Sequence, residues 1–131
     1  MARQWYEKAE QDALAAGQLA LTEALAEVTA FHCQQAVEKA LKAFLTWRNQ
    51  PFRRVHDLEE LVHACAALDD AFLSLLPMAE RLSPYAVEVR YPNDLPELTS
   101  ADVQEALQLM RDVMSFVQVR LSPLIGTQND H

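Results

Sequence analysis

Apolar residues recur at three- and four-residue steps along most of the chain, which is the spacing that places side chains on one face of an α-helix. In the first part of the chain Trp5 begins such a stripe, which predicts a helix over about residues 3–21 and a turn over residues 22–27. Residues 28–47 are rich in Ala, Leu, Gln, Glu and Lys, which favour helix formation. They predict a second, longer helix that ends at or before Pro51.

Capping residues and prolines divide the second half of the chain. After a loop over residues 48–56, Asp57 is placed to cap a third helix that runs to Leu68. Pro77 and Pro84 interrupt the short segment that follows. These signals predict short helical elements between the third helix and the last one.

The last predicted helix has the clearest signals at both ends. Thr99 and Asp102 form an N-terminal capping pattern, and a surface loop with two prolines, residues 91–96, precedes it. The apolar stripe of this helix consists of Val103, Leu107, Met110, Met114, Val117 and Leu121. Pro123 and Gly126 end it.

Four main helices with short connections predict an all-α, up-and-down helical bundle with one or two further short helices. We place this bundle over residues 1–122 and expect a flexible tail over residues 123–131. The length of 131 residues suits one domain, and a hydrophobic content of 50% excludes a disordered chain.

Glycine occurs only at Gly17 and Gly126. Two isolated glycines exclude the phosphate-binding loops of nucleotide-hydrolysing enzymes and of dinucleotide-binding folds, because those loops need several glycines for close backbone approach. The low glycine content also argues against an all-β fold with many tight turns.

Charge is distributed unevenly along the chain. The net charge is −8, yet residues 39–56 carry a local charge of +5 and no acid. We call its five cations the basic zone: Lys39, Lys42, Arg48, Arg53 and Arg54. Clustered like charges repel, so the zone predicts an anionic ligand or an acidic partner; the alternative is that Glu38, Asp57 or acids of another helix neutralise it.

Cysteine use and segment hydropathy predict a soluble, cytoplasmic protein. Cys33 and Cys65 form no disulfide framework, and no segment has the features of a signal peptide. No charge-free stretch exceeds ten residues, so no membrane span is predicted.

His32 with Cys33, and His63 with Cys65, have the wrong spacing for a metal site, so we predict neither a metal nor a cofactor.

Six polar residues of the second helix form a polar band: His32, Gln34, Gln35, Glu38, Lys39 and Lys42. One interpretation is a solvated helix face with a favourable Glu38–Lys42 pair four residues apart. The other is a partly covered site, because apolar residues such as Phe31 and Leu41 flank the band and buried polar groups need partners or a ligand.

The run Phe31–Ala43, FHCQQAVEKALKA, resembles the signature helix of the HEPN domain family (higher eukaryotes and prokaryotes nucleotide-binding). Other matching features are Trp5 at the start of the first helix with Lys8, Ala9 and Asp12 after it, His56-Asp57-Leu58, Tyr85, and Arg90-Tyr91-Pro92. The resemblance covers about residues 3–121. It implies a bundle of four or five helices that commonly forms a homodimer and pairs with a small nucleotidyltransferase, often as a toxin–antitoxin module.

Many members of the family are metal-independent ribonucleases that use an Arg and a His separated by four to six residues. The chain departs from that pattern, since seven residues separate Arg48 from His56, two separate Arg53 from it and one separates Arg54. The resemblance therefore leaves enzymatic activity open.

We predict a nucleotide-binding and interaction protein that acts with a nucleotidyltransferase. Its candidate ligand-binding residues are Gln34, Gln35, Glu38, Lys39, Lys42, Arg53, Arg54, His56, Arg90 and Tyr91. An alternative is a ribonuclease toxin with a noncanonical His56–Arg90 centre. A third possibility makes Glu38 a general base that completes the partner's nucleotidyl-transfer site.

Overall fold

Two long helices, α1 (Ala2–Leu19) and α2 (Ala26–Trp47), run antiparallel and are joined by a 3₁₀ turn at Glu23–Leu25. The structure is a computed structural model that describes residues 1–54, 56–86 and 97–125. The remaining helices are α3 (Leu58–Ala66), α4 (Leu76–Leu82), α5 (Ser100–Arg120) and α6 (Ser122–Ile125), with 3₁₀ segments at Asp70–Leu75 and Ser83–Ala86. The described part of the chain contains no strand, which confirms the predicted all-α bundle.

Helix α2 lies at the centre of the bundle and packs against α1, α3 and α5. Its small residues Ala36, Ala40 and Ala43 are buried and allow neighbouring helices to approach closely. Near its C-terminal end, the rings of Phe44 and Phe72 lie with centroids 4.5 Å apart. Because α2 is covered on most sides, even some of its polar residues lie inside the bundle.

The capping predictions are confirmed. The Asp57 side chain accepts hydrogen bonds from the backbone N–H groups of Glu59 and Glu60 at the start of α3. Thr99 and Asp102 form a complete capping box at the start of α5. These caps satisfy N–H groups that have no partner within a helix.

The end of α2 shows why the following loop turns where it does. Asn49 adopts a left-handed backbone conformation with φ of 57°, which asparagine tolerates better than most residues. The Gln50 N–H donates to the Leu45 carbonyl at 2.8 Å, as in a Schellman C-cap. The chain leaves the helix before Pro51 and runs toward His56.

The predicted break at Pro77 falls where the 3₁₀ segment ends and α4 begins, and the proline lies in the first turn of α4, where a missing N–H costs no hydrogen bond. Two other local expectations need correction. Helix α3 ends at Ala66, two residues before the predicted end at Leu68. The start of the segment expected to be a tail forms α6, where the Leu124 carbonyl accepts a hydrogen bond from Arg3 at 3.1 Å.

Part of the predicted site lies beyond the described residues. Arg90 and Tyr91 fall there, as do the whole loop over residues 91–96 and residues 126–131.

Within the described ranges no helix is long and apolar enough to cross a membrane.

Candidate functional site

A buried carboxylate, Glu38, is the centre of the polar band on α2. The residue is only 2% exposed. Its Oε2 accepts a hydrogen bond from Lys42 Nζ at 3.0 Å, and its Oε1 lies 3.0 Å from His56 Nδ1 and 3.4 Å from Gln34 Nε2. We call these four residues the His56 cluster. Burial of a carboxylate is tolerated here because three donors surround it.

His56 is the exposed member of this cluster. Its side chain is 72% exposed although its Nδ1 contacts the buried Glu38. A carboxylate can only accept, so the Nδ1–H donates and the imidazole presents its Nε2 to a ligand. The His56 carbonyl also accepts a hydrogen bond from Gln34 Nε2 at 3.3 Å. Both the backbone and the ring of His56 are thereby positioned by residues of α2.

Lys42 lies beneath two aromatic rings rather than on the surface. Its side chain is 8% exposed, and its Nζ lies 5.4 Å from the centre of the Trp5 ring and 5.8 Å from the centre of the Phe52 ring. The ammonium is satisfied by Glu38 and by the two π faces. The structure gives Lys42 the role of holding Glu38 in place, and no open surface for a ligand.

Gln34 and Gln35 extend the network along α2. Gln34 is fully buried, and its Oε1 accepts a hydrogen bond from Gln35 Nε2 at 2.7 Å. Gln34 thus uses its carbonyl toward Gln35 and its amide toward Glu38 and His56. The partly covered site is the interpretation of the polar band that these contacts support.

A second polar cluster links α1 to α2. Asp12 accepts a hydrogen bond from Lys39 Nζ at 2.6 Å, and its other oxygen lies 2.8 Å from His32 Nδ1. Although it is an aspartate, the residue is only 9% exposed. The reason is that His32 and Lys39, two turns apart on α2, both face it. The spacing of Asp12 within α1, three residues after Ala9 and four before Ala16, is the signal that places it on the buried face.

The basic zone is largely neutralised within the chain. Lys39 and Lys42 contact Asp12 and Glu38, and the exposed Arg53 forms an ion pair with Glu60 that raises the pKa of the arginine. Arg48 lies over the Phe44 ring, 5.8 Å from its centre. Arg54 is exposed and has no ion pair among the described residues.

Within the described ranges, no three His, Cys, Asp or Glu side chains are grouped so that they could hold a metal ion. Cys33 and Cys65 are both buried, and burial raises the pKa of each thiol to about 12. A thiol in that state is a poor nucleophile and a poor metal ligand.

The geometry of the His56 cluster permits two kinds of chemistry. An imidazole held by a buried carboxylate can bind an anionic oxygen or transfer a proton at Nε2. Glu38 itself is covered by His56 and Lys42, so the structure favours a positioning role for Glu38 over one as a general base in contact with substrate.

Comparisons with known proteins concern the family and the fold of this chain. The family model of the HEPN domain matches residues 2–120. A protein of Methanocaldococcus jannaschii named "Putative toxin MJ1304" is 32% identical over 110 residues, which are 73% of this chain and 72% of that protein. The crystal structure of TT1696 from Thermus thermophilus matches with a TM-score of 0.76 and 28% identity, covering 92% of this chain and 98% of that one.

Proposed function

This chain belongs to the HEPN domain family, and from that premise we propose that it is a toxin-type member that binds a nucleotide or RNA at the surface around His56 and acts with a small nucleotidyltransferase. The observation that carries the proposal is the contact between the exposed His56 and the buried Glu38. It joins the family's signature helix to the loop that contains the exposed cation Arg54. Phosphate oxygens are the natural ligands of such a surface.

The toxin role is supported by the relative of this chain that is named a putative toxin. The nucleotidyltransferase partner is supported by the family resemblance of the signature helix. The loop offers that partner a charged surface, because Arg53 is 76% exposed and its ion pair with Glu60 lies in solvent. Exposed pairs of this kind are weak and exchange partners at little cost.

A homodimer is also part of the proposal. An open groove of about 640 Å³ lies between α1 and α5 and includes Tyr6, Met110 and Met114. Leu14 on its edge is 70% exposed. A second copy would cover these apolar surfaces.

Light scattering should give a dimer at micromolar concentration. Leu14→Glu should weaken that dimer. Leu73→Glu, at an exposed leucine far along the chain, should not weaken it.

Calorimetry tests the binding function. The full chain is titrated with adenosine monophosphate and with a short single-stranded RNA, at low and at moderate salt. We expect binding that weakens steeply with salt and that His56→Ala reduces at least tenfold. His63→Ala, which removes an exposed histidine from α3, is the matched control and should bind like the wild type. Equal affinity of the two variants would contradict the proposal.

A capture experiment tests the partner. The protein encoded beside this chain is co-expressed with it and with an Arg53→Glu/Arg54→Glu variant. We expect the co-expressed protein to be a nucleotidyltransferase that is captured with the wild type and not with the variant. Equal capture by the wild type and the variant would show that the loop is not part of the partner interface.

The orientation of His56 favours a second candidate function, metal-independent RNA cleavage. In that reaction Nε2 takes the proton of a ribose 2′-OH, the 2′ oxygen bonds to phosphorus, and the 5′ oxygen leaves with a proton from an acid. The exposed Arg54, two residues before His56 in the chain, is the cation that would stabilise the added negative charge. This function would be favoured over binding alone if the wild type cleaves RNA in the presence of a chelator, His63→Ala cleaves it too, and His56→Ala does not.

A further inference from the structure

The indole ring of Trp5 borders a shallow apolar hollow on the outside of α1. The hollow has a volume of about 170 Å³ and is formed by Met1, Gln4, Trp5 and Lys8. Gln4 and Lys8 are exposed, whereas Trp5 is half-buried. An aromatic ring thus meets solvent between a polar amide and a cation.

We propose that this hollow is a nucleobase subsite in which a base of the bound nucleotide or RNA stacks on Trp5. The inference rests on the proposed function and adds to it the part of the ligand that is not phosphate. Every nucleobase has a π face, and stacking on an aromatic side chain is the usual way in which proteins hold unpaired bases.

The indole ring is packed against two neighbouring side chains. Its ring meets Phe52 edge to face, with centroids 6.2 Å apart, and the buried Lys42 ammonium lies 5.4 Å from its centre. Lys42 is inside the bundle, so a base in the hollow would approach the ring from the solvent side, away from the ammonium. A rigid ring loses little entropy when a base stacks on it.

The same lysine connects Trp5 to the phosphate-binding surface. Lys42 Nζ lies 3.0 Å from Glu38 Oε2, and that oxygen lies 3.2 Å from His56 Nδ1. Trp5 and His56 are therefore separated by one ammonium and one carboxylate. A base on the indole and a phosphate at His56 can belong to the same short strand of nucleic acid.

The charges around the hollow fit a nucleotide. Lys8 is one turn beyond Gln4 on the exposed face of α1. Phe52, whose ring meets the indole, is followed along the chain by the exposed Arg53 and Arg54. Lys8, which lines the hollow itself, would contact a phosphate of the stacked nucleotide.

Tryptophan fluorescence tests this subsite directly, because the chain contains only two tryptophans, Trp5 and Trp47. In a Trp47→Phe background all indole emission comes from Trp5. We expect adenosine monophosphate and a short single-stranded RNA to quench that emission, whereas ribose 5-phosphate, which has no base, leaves it unchanged. The reverse background, Trp5→Phe, should show no quenching because Trp47 lies against Phe44.

Affinity gives a second readout. Trp5→Leu should bind the RNA roughly tenfold more weakly or worse, as expected when one stacked base is lost, and should bind ribose 5-phosphate like the wild type. Circular dichroism and thermal unfolding check that the variant folds. If it does not, Trp5→Phe replaces it and should show a smaller loss.

The outcomes separate the subsite from the function on which it rests. RNA that binds through His56 with unchanged Trp5 emission and unchanged affinity in Trp5→Leu would overturn the subsite and leave the proposed function intact. Absence of any binding of nucleotide or RNA to the wild type would overturn both.

Discussion

Replacing Glu38 by Gln should destabilise the protein strongly, although the change keeps the shape of the side chain. The side chains of Glu38 and Lys42 are 3% and 8% exposed, and their charged atoms lie 3.0 Å apart. Removal of one partner from a buried ion pair leaves the other charge uncompensated, which costs about 3–5 kcal/mol. Because Trp5 and Phe52 still contact the ammonium, we expect the lower end, about 3 kcal/mol.

Thermal and chemical unfolding measure this effect. For a chain of 131 residues, a loss of about 3 kcal/mol corresponds to a fall in Tm of roughly 10 °C. Lys42→Met should cost a similar amount, because Glu38 then keeps only His56 and Gln34. The double variant leaves neither charge unpaired, so it should be less destabilised than the two single changes added together, by about 1–3 kcal/mol.

An exposed pair supplies the control. Arg53→Gln and Glu60→Gln remove an ion pair that lies in solvent, and neither should change the Tm measurably. Additive effects of Glu38→Gln and Lys42→Met, or a Glu38→Gln variant as stable as the wild type, would refute the view that the pair is buried and interdependent.

Three further predictions concern other parts of the chain. The double change Arg53→Glu/Arg54→Glu should leave the Tm nearly unchanged and weaken the binding of RNA, as measured by unfolding and by calorimetry at several salt concentrations. A thiol reagent should modify Cys33 and Cys65 only when denaturant unfolds the protein, since both are buried with a pKa of about 12; rapid labelling of the native protein would contradict this. Hydrogen bonds from Thr99 hold the pKa of Asp102 below its ordinary value of 3.8, so this cap stabilises the fold above that pH and the stabilisation is lost as the pH falls through the lowered pKa. Unfolding curves of Asp102→Asn should therefore show a weaker loss of stability on acidification than those of the wild type.

Local signals were sufficient for most of the fold. The cap at Thr99 and the regular apolar stripe that follows it predict α5 almost to the residue. Asp57 does the same for the start of α3. Pro77 divides its segment by marking the start of α4, since proline is disruptive inside a helix but favourable in its first turn.

The candidate site was predictable as a set of residue types but not as a set of contacts. The four-residue spacing of Glu38 and Lys42 predicts their pair, which the structure contains. Their burial depends on Trp5 and Phe52, which arrive from other parts of the chain. The contact between Glu38 and His56 joins residues 18 positions apart and needs the turn after α2.

The Asp12 cluster shows the same limit. An aspartate is ordinarily solvated, but the helical spacing places Asp12 on the same face of α1 as the buried Ala9 and Ala16. Its partners His32 and Lys39 lie on another helix. Only the packing of α1 on α2 makes a buried carboxylate stable there.

The most direct test of the His56 surface is heteronuclear NMR of the histidine side chains, with His56→Ala used to assign the His56 signals. We expect His56 to carry its proton on Nδ1, toward Glu38, and its Nε2 resonance to shift when a short single-stranded RNA is added. The signals of His63, which is exposed on α3, should stay in place. RNA that binds without moving the His56 resonances, or a His56 ring protonated on Nε2 alone, would contradict the proposed site.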